Sequence, residues 1–83
     1  MKGEIIIVEV QLIGANSKNG LKMKKIIERT MEDSDIDISL LLVDDDKIKN
    51  KYNVKNFPGI VVNGNLVSQG KVLTEREFKK ILV

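Results

Sequence analysis

The sequence predicts one α/β domain with the element order β-α-β-α-β-β-α and a mixed four-stranded sheet. Two apolar stretches, Glu4–Ile13 and Ile36–Val43, flank one amphipathic helix, which is the pattern of a parallel βαβ unit. The pair Asn63-Gly64 is a strong signal for a two-residue hairpin turn. Because 83 residues suffice for one core only, we expect a single domain over residues 1–83.

The first strand is predicted over Glu4–Ile13 and the first helix from Ser17 to about Glu32. Alternation in the second half of this strand predicts one face that carries Val8, Val10 and Leu12. Ser17 is the expected N-cap, accepting from the amide of Asn19 or Gly20. The spacing of apolar residues predicts a buried helix stripe formed by Leu21, Met23, Ile26, Ile27 and Met31.

The second strand is predicted over Ile36–Val43, with Leu40–Val43 apolar on both faces and a right-handed crossover before it. Asp44-Asp45-Asp46 follows. Carboxylates are favoured at a helix N-terminus, so we expect these to begin a short helix over about Asp45–Tyr52. A divalent metal site is the alternative, although the spacing is not that of a calcium loop.

The remaining elements are short and have clear boundary signals. Ile48 and Tyr52 are expected to face inward, and Asn53 to end the second helix in the left-handed region. Phe57-Pro58-Gly59 introduces a third strand over Ile60–Val62, and Asn65–Gln69 forms the fourth. Thr74 and Glu77 form a capping box before a last helix, which buries Phe78, Ile81 and Leu82.

The chain contains no cysteine and no histidine, which limits the chemistry it can perform. Thiol redox chemistry, thiolate metal binding and histidine general-base catalysis are excluded, and we expect neither a metal nor a cofactor. The net charge of +2 does not by itself indicate a polyanionic partner. No export signal or membrane-length apolar run is present, so we expect a cytoplasmic protein without membrane contact.

Four segments, together with the helices, resemble the thioredoxin fold over nearly the whole chain. They are Leu12–Gly20, Lys51–Val54, Phe57–Gly64 and Ser68–Val72. The chain is most similar to the small glutaredoxin-like or thioredoxin-like single-domain proteins of archaea and bacteria. The resemblance implies a three-layer α/β fold with helices on both faces of the mixed sheet. It also implies that the peptide bond before Pro58 is cis.

Proteins of this family carry a Cys-x-x-Cys motif in the loop after the first strand. Aligned on Gly14, the two cysteine positions hold Ser17 and Gly20. The first thiol of such a motif gains reactivity at the helix N-terminus, and the second resolves the mixed disulfide. A serine and a glycine supply neither step. The resemblance therefore implies a vestigial active-site loop made of Gly14, Ala15, Asn16, Ser17, Lys18, Asn19 and Gly20.

The leading hypothesis is a redox-inactive, non-catalytic domain that binds a protein or peptide partner. The expected groove lies between the 14–20 loop and a second segment formed by Asn56, Phe57, Pro58 and Gly70, with backbone pairing beside Pro58. An enzymatic alternative is a glutathione-type thiol-binding protein that uses the Ser17 hydroxyl.

Two further alternatives concern surfaces outside this groove. A nucleic-acid partner would use the basic cluster Lys18, Lys22, Lys24 and Lys25. It is disfavoured because Tyr52, Phe57 and Phe78, the three aromatic residues of the chain, are expected in the core rather than as stacking platforms. The other alternative is a structural subunit or homodimer that uses the exposed rim of the sheet.

Overall fold

A computed structural model describes residues 6–82 and has the predicted order of elements. The elements are β1 (Ile7–Ile13), α1 (Lys18–Asp33), β2 (Asp37–Val43), α2 (Asp46–Lys51), β3 (Gly59–Val62), β4 (Asn65–Gln69) and α3 (Glu75–Leu82). The predicted strand positions Glu4 and Ile5 lie outside the described residues. Within residues 6–82, no helix combines the length and apolar character needed to cross a bilayer.

The four strands form one mixed sheet in the order β2-β1-β3-β4. β1 runs parallel to β2, with Ile7 opposite Asp37 and Ile13 opposite Val43. β1 and β3 are antiparallel, as are β3 and β4. The long apolar first strand therefore occupies an interior position, as its sequence predicts.

The sheet divides the core into two clusters, one on each face. The larger cluster packs under α1 and α3 and includes Val8, Val10, Leu12, Met23, Ile27, Ile60, Val62 and Phe78. The smaller cluster consists of Ile13, Val43 and Val61, with Ile48 and Tyr52 half-buried against it. Helices therefore cover both faces of the sheet, and the inward orientation expected for the α2 side chains is confirmed.

Two asparagines adopt the left-handed backbone at the predicted turns. Asn53 has φ 56° after α2. Asn63 and Gly64 have φ 48° and 87°, as a type I′ hairpin turn requires at both central positions. The Asn63 side chain also accepts a hydrogen bond from the Glu9 amide at 2.9 Å, so this turn is attached to β1 as well as to its own hairpin.

The buried face of α1 differs from the predicted stripe. Met23 and Ile27 are buried as expected, but Leu21 is 49% exposed and Met31 37% exposed. Leu21 follows the buried Gly20 by one residue, and one residue rotates a helix by about 100°, which carries its side chain off the packed face. The polar Thr30 is buried instead, and its hydroxyl donates to the Ile26 carbonyl at 2.9 Å.

The prediction that Leu40–Val43 is covered on both faces is wrong for two residues. Leu41 is 57% exposed and Leu42 is 43% exposed. The reason is the position of β2, which lies at an edge of the sheet. In addition, α1 packs mainly against β1 and α3 rather than over β2.

The capping box at the start of α3 is formed in both directions. The Glu77 amide donates to the Thr74 hydroxyl at 3.1 Å, and the Thr74 amide donates to the Glu77 carboxylate at 2.9 Å. The hydrogen bonds from Thr74, from its backbone first and its side chain second, hold the pKa of Glu77 below its ordinary value. The ionised carboxylate is therefore the form that stabilises the start of α3.

We predict that Glu77→Gln makes the stability of the domain less dependent on pH. A carboxyl whose pKa is lowered by folding contributes stability at pH values above its ordinary pKa. This contribution disappears as the pH falls through the lower folded-state pKa. The parent should therefore be more stable than Glu77→Gln at neutral pH, and this difference in unfolding free energy should vanish in acid. Urea unfolding at several pH values measures it.

The other half of the box supplies the control for this measurement. Thr74→Ala removes the hydroxyl that accepts from the Glu77 amide and should cost about 1 kcal/mol at neutral pH. Thr74→Ser keeps that acceptor and should be close to the parent. Equal losses for the alanine and serine variants would contradict the capping role of the hydroxyl.

Candidate functional site

Gly14 ends β1 and joins three parts of the structure. Its φ of +77° is in the region that favours glycine. Its amide donates to the Val43 carbonyl at 2.8 Å, at the end of the neighbouring strand. Its carbonyl oxygen accepts from both the amide and the hydroxyl of Ser17, at 3.0 and 2.7 Å. The loop is therefore folded back onto the residue that begins it.

Ser17 is the N-cap of α1, which confirms the sequence prediction. Its side-chain oxygen accepts from the Gly20 amide at 3.0 Å. The same hydroxyl donates its proton to the Gly14 carbonyl. Its proton is thus already engaged in a hydrogen bond inside the loop.

Gly20 occupies a position with no room for a side chain. A Cβ atom placed there would overlap the Gly14 carbonyl oxygen and lie 2.8 Å from the Ser17 hydroxyl and 2.9 Å from the Ala15 carbonyl oxygen. Two of these neighbours are backbone atoms, which move only with the loop. The position aligned with the second cysteine of the family motif is therefore closed to any larger residue in this loop conformation.

The three consecutive aspartates after β2 have separate contacts. Asp44 accepts from the Asn16 amide at 3.3 Å and so holds the 14–20 loop. Asp45 is the N-cap of α2 and accepts from the Lys47 amide at 2.8 Å. Asp46 contacts the Lys49 ammonium at 2.7 Å. The hydrogen bond from Lys49, and then its charge, hold the pKa of Asp46 below its ordinary value. These contacts agree with the helix-start interpretation of the acidic run.

Phe57 lies on the surface beside the loop, and the expectation that it belongs to the core is wrong. The residue is 38% exposed. Its ring packs against Gly14, where a Cβ atom would approach the ring carbons to 2.6 Å. The Lys49 ammonium lies 5.0 Å from the ring centroid, within cation–π range. The absent side chain of Gly14 is what allows the ring to lie against the loop.

The segment before β3 is held by Gln69, a residue that the sequence analysis did not select. The Gln69 side-chain oxygen accepts from the amides of Lys55 and Asn56 at 2.8 and 3.3 Å. The Pro58 carbonyl accepts from the Gly70 amide at 2.9 Å, and the Phe57–Pro58 peptide bond is cis. A long-range contact of one glutamine with two amides leaves no pattern in the sequence from which it could be found.

The structure brings together most of the residues that were selected from the sequence. The 14–20 loop meets the second segment at the contact between Gly14 and Phe57, and Asn56 lies against Gly70. Ala15 and Pro58 are buried, whereas loop residues 16, 18 and 19 are exposed. Within residues 6–82, the backbone N–H and C=O of Phe57 have no hydrogen-bond partner.

A pocket of about 560 Å³ lies at the other end of the sheet. It is lined by Ile36, Glu75, Arg76, Lys79 and Lys80. Ile36 precedes β2, whereas the loop of interest lies beside the end of that strand. This pocket therefore has no residue in common with the groove predicted from the sequence.

Comparison with known proteins agrees with the observed topology. A family model described as a thioredoxin domain matches residues 8–83. The chain belongs to the thioredoxin-domain family. No curated protein matches it. Because this member has no cysteine, it fits a redox-inactive form of the domain.

Two solved structures of malarial proteins are similar in fold to this thioredoxin-family domain. The first, described as a malarial protein, superposes with a TM-score of 0.74 and is 15% identical in sequence. The superposition covers 93% of this chain and 94% of the malarial chain. The second is thioredoxin-2, described as a component of the malaria parasite protein secretion machinery. It gives a TM-score of 0.68 at 16% identity, over 92% of this chain and 79% of its own. At these identities the likeness shows the fold alone.

We predict that Gly20→Ala destabilises the domain. Replacing a helical glycine by alanine usually stabilises a helix by about 0.5–1 kcal/mol. Here the added methyl group meets the Gly14 carbonyl oxygen, so we expect a loss of about 1–3 kcal/mol, as for an overpacked core. Urea unfolding of the variant and the parent decides the sign.

The neighbouring residue provides a matched control. Asn19 is exposed in the same turn of α1, and Asn19→Ala should change the unfolding free energy by less than about 0.5 kcal/mol. A Gly20→Ala variant as stable as the parent, or more stable, would show that the loop moves easily away from this position.

Proposed function

We propose that this thioredoxin-family domain is redox-inactive and binds an extended peptide segment of a protein partner. The proposed binding groove is bounded by Gly14–Gly20 on one side and Asn56–Pro58 on the other, with Gly70 at its end. Binding in this groove requires no thiol, because main-chain hydrogen bonds provide the affinity when a peptide adds to an exposed strand-like segment.

The observation that carries this proposal is the backbone of Phe57. Its N–H and C=O have no partner among residues 6–82, although the residues on both sides are fixed. The Asn56 amide is bonded to Gln69, and the Pro58 carbonyl to Gly70. One donor and one acceptor are therefore held in place at an exposed position, and an extended peptide can pair with both.

The start of α1 offers further donors on the opposite side of the groove. Ser17 caps the Gly20 amide, but the amides of Lys18 and Asn19 have no acceptor within the described part of the chain. The first amides of a helix are suited to bind carbonyl oxygens or other negatively polarised groups. A peptide paired with Phe57 has this second row of donors beside it.

The exposed ring of Phe57 gives the groove an apolar surface. Lys49 and Gly14 both contact the ring, which is still 38% exposed, so a partner side chain can pack on it with little ordering of the ring itself. We therefore infer that the peptide places an apolar side chain against Phe57.

The thiol-binding alternative receives no support from this geometry. It requires the Ser17 hydroxyl to donate toward the sulfur of a ligand. That proton is instead directed to the Gly14 carbonyl oxygen, 2.7 Å away. A ligand thiol would have to break this hydrogen bond before it gained its own.

We predict that a capped seven-residue peptide of alternating valine and threonine perturbs the amides of this groove. The measurement is a titration of isotopically labelled protein, followed by amide chemical shifts. The largest shifts should fall on Phe57 and on residues 15–20, because these amides lie at the proposed pairing site. Shifts confined to other parts of the chain would contradict the proposal.

Two N-methylated forms of the same peptide form a matched pair. Methylation of the alternate amides that face the groove removes the donor that pairs with the Phe57 carbonyl. It should weaken binding about tenfold. Methylation of the amides that point away from the groove leaves that donor in place and should change the affinity little. Equal affinity of the two forms would exclude backbone pairing. The variant Val67→Ala removes an exposed apolar side chain on β4 and serves as the control for nonspecific apolar contact.

A further inference from the structure

The two edges of the sheet differ in how well they are protected from pairing with another strand. The β4 edge has an irregular register beside Ile60/Val61, and its residues include Asn65, Ser68 and Gln69. The β2 edge pairs regularly with β1 along its whole length, and Asp37 at its start is its only charged residue. It has no lysine, proline or bulge, which are the usual protections of an edge strand.

The β2 edge also exposes one leucine on each of its faces. Leu41 is exposed on the α2 face, and Leu42 is exposed on the face of α1 and α3. A strand parallel to its neighbour is normally covered on both sides by helices. Here the helix α1 contacts β1 and α3 more than β2, so this cover is incomplete.

We propose that the β2 edge pairs with the β2 edge of a second copy of this chain, in antiparallel orientation, to form a continuous eight-stranded sheet. In the register that we infer, the two-fold axis passes beside Leu40, which lies opposite Leu40 of the other copy. Ile38 then lies opposite Leu42, and Ser39 opposite Leu41. Each exposed leucine is next to a side chain of the other copy, and the unpaired backbone groups of both edges are satisfied.

The length of β2 and the position of Asp37 together favour this register over its neighbours. A shift of the axis to Leu41 places Asp37 opposite Asp45, and like charges directly opposite are destabilising. A shift to Ser39 places Asp37 opposite Leu41, so a carboxylate takes the place of an apolar neighbour. With the axis at Leu40, Asp37 lies opposite Val43 and all seven residues of β2 are paired, while the carboxylates that face each other, Asp35 and Asp45, lie outside the strand.

A second copy fits this edge because the strand is complementary to itself. The net charge of +2 opposes association only weakly. A closed two-fold contact also uses both β2 edges and so leaves none for further growth. The proposal uses no residue of the peptide groove and does not depend on peptide binding.

The first test measures the mass of the full chain by sedimentation velocity from about 10 µM to about 1 mM, a range suited to small interfaces. The mass should rise to twice that of the monomer and stop there. Leu41→Lys should weaken dimerisation by at least about tenfold, because it removes an apolar contact and adds two like charges near the axis. Leu21→Lys, at a similarly exposed leucine of α1, should leave the dimer intact.

The second test examines the register and uses the absence of cysteine from the chain. Ser39→Cys and Leu41→Cys both change exposed positions. Directly opposite residues of an antiparallel pair are about 4.5–5.5 Å apart at Cα, within disulfide range. An oxidised mixture of the two variants should therefore form cross-linked dimers at least about tenfold faster than either variant alone, where the cysteines are diagonal neighbours.

Several results would overturn the proposal. The first is a chain that is still monomeric at about 1 mM, and the second is a mass that continues to rise beyond two copies. The third is a Leu41→Lys variant that dimerises as well as the parent and has the same circular dichroism. Cross-linking in the mixture no faster than in the separate variants would reject the register. Retained binding of the alternating peptide by monomeric Leu41→Lys would show that the groove functions without this interface.

Discussion

The carbonyl group of Gly14 is the point on which the geometry of the 14–20 loop depends. It accepts two hydrogen bonds from Ser17, and these set the position of the first turn of α1. The amide of the same residue is bonded to Val43, so the loop is fixed to the end of the neighbouring strand. Its missing side chain admits the ring of Phe57. One glycine thus contacts the start of α1, the end of β2 and the segment before β3.

This arrangement makes the residue at position 20 depend on the loop conformation that Ser17 stabilises. A serine at position 17 caps the helix through its oxygen and bonds to the Gly14 carbonyl. That carbonyl then occupies the space where a side chain at position 20 would begin. With the loop closed in this way, glycine is the residue that fits at position 20. The loop is stable through hydrogen bonds and contains no role for a thiol.

Features set by neighbouring residues could be predicted from the sequence, and those set by distant contacts could not. The cap at Ser17, the turn at Asn63 and the capping box at Thr74 depend on residues within three positions, and all three are formed. Burial of Leu41 and Phe57 was predicted wrongly because it depends on strand order and helix position. Apolar character alone does not distinguish a residue inside a sheet from one at its edge.

The chemistry that remains to this chain for recognising other molecules is mainly that of its backbone. It has neither cysteine nor histidine, and of its three aromatic rings the one at Phe57 is exposed. Among residues 6–82, unpaired backbone groups are found at Phe57 and along the outer edge of β2. Both are rigid, because strands and hydrogen-bonded neighbours hold them, and rigid groups lose little entropy on binding. Both of the proposals made for this thioredoxin fold therefore rest on backbone groups and require no thiol.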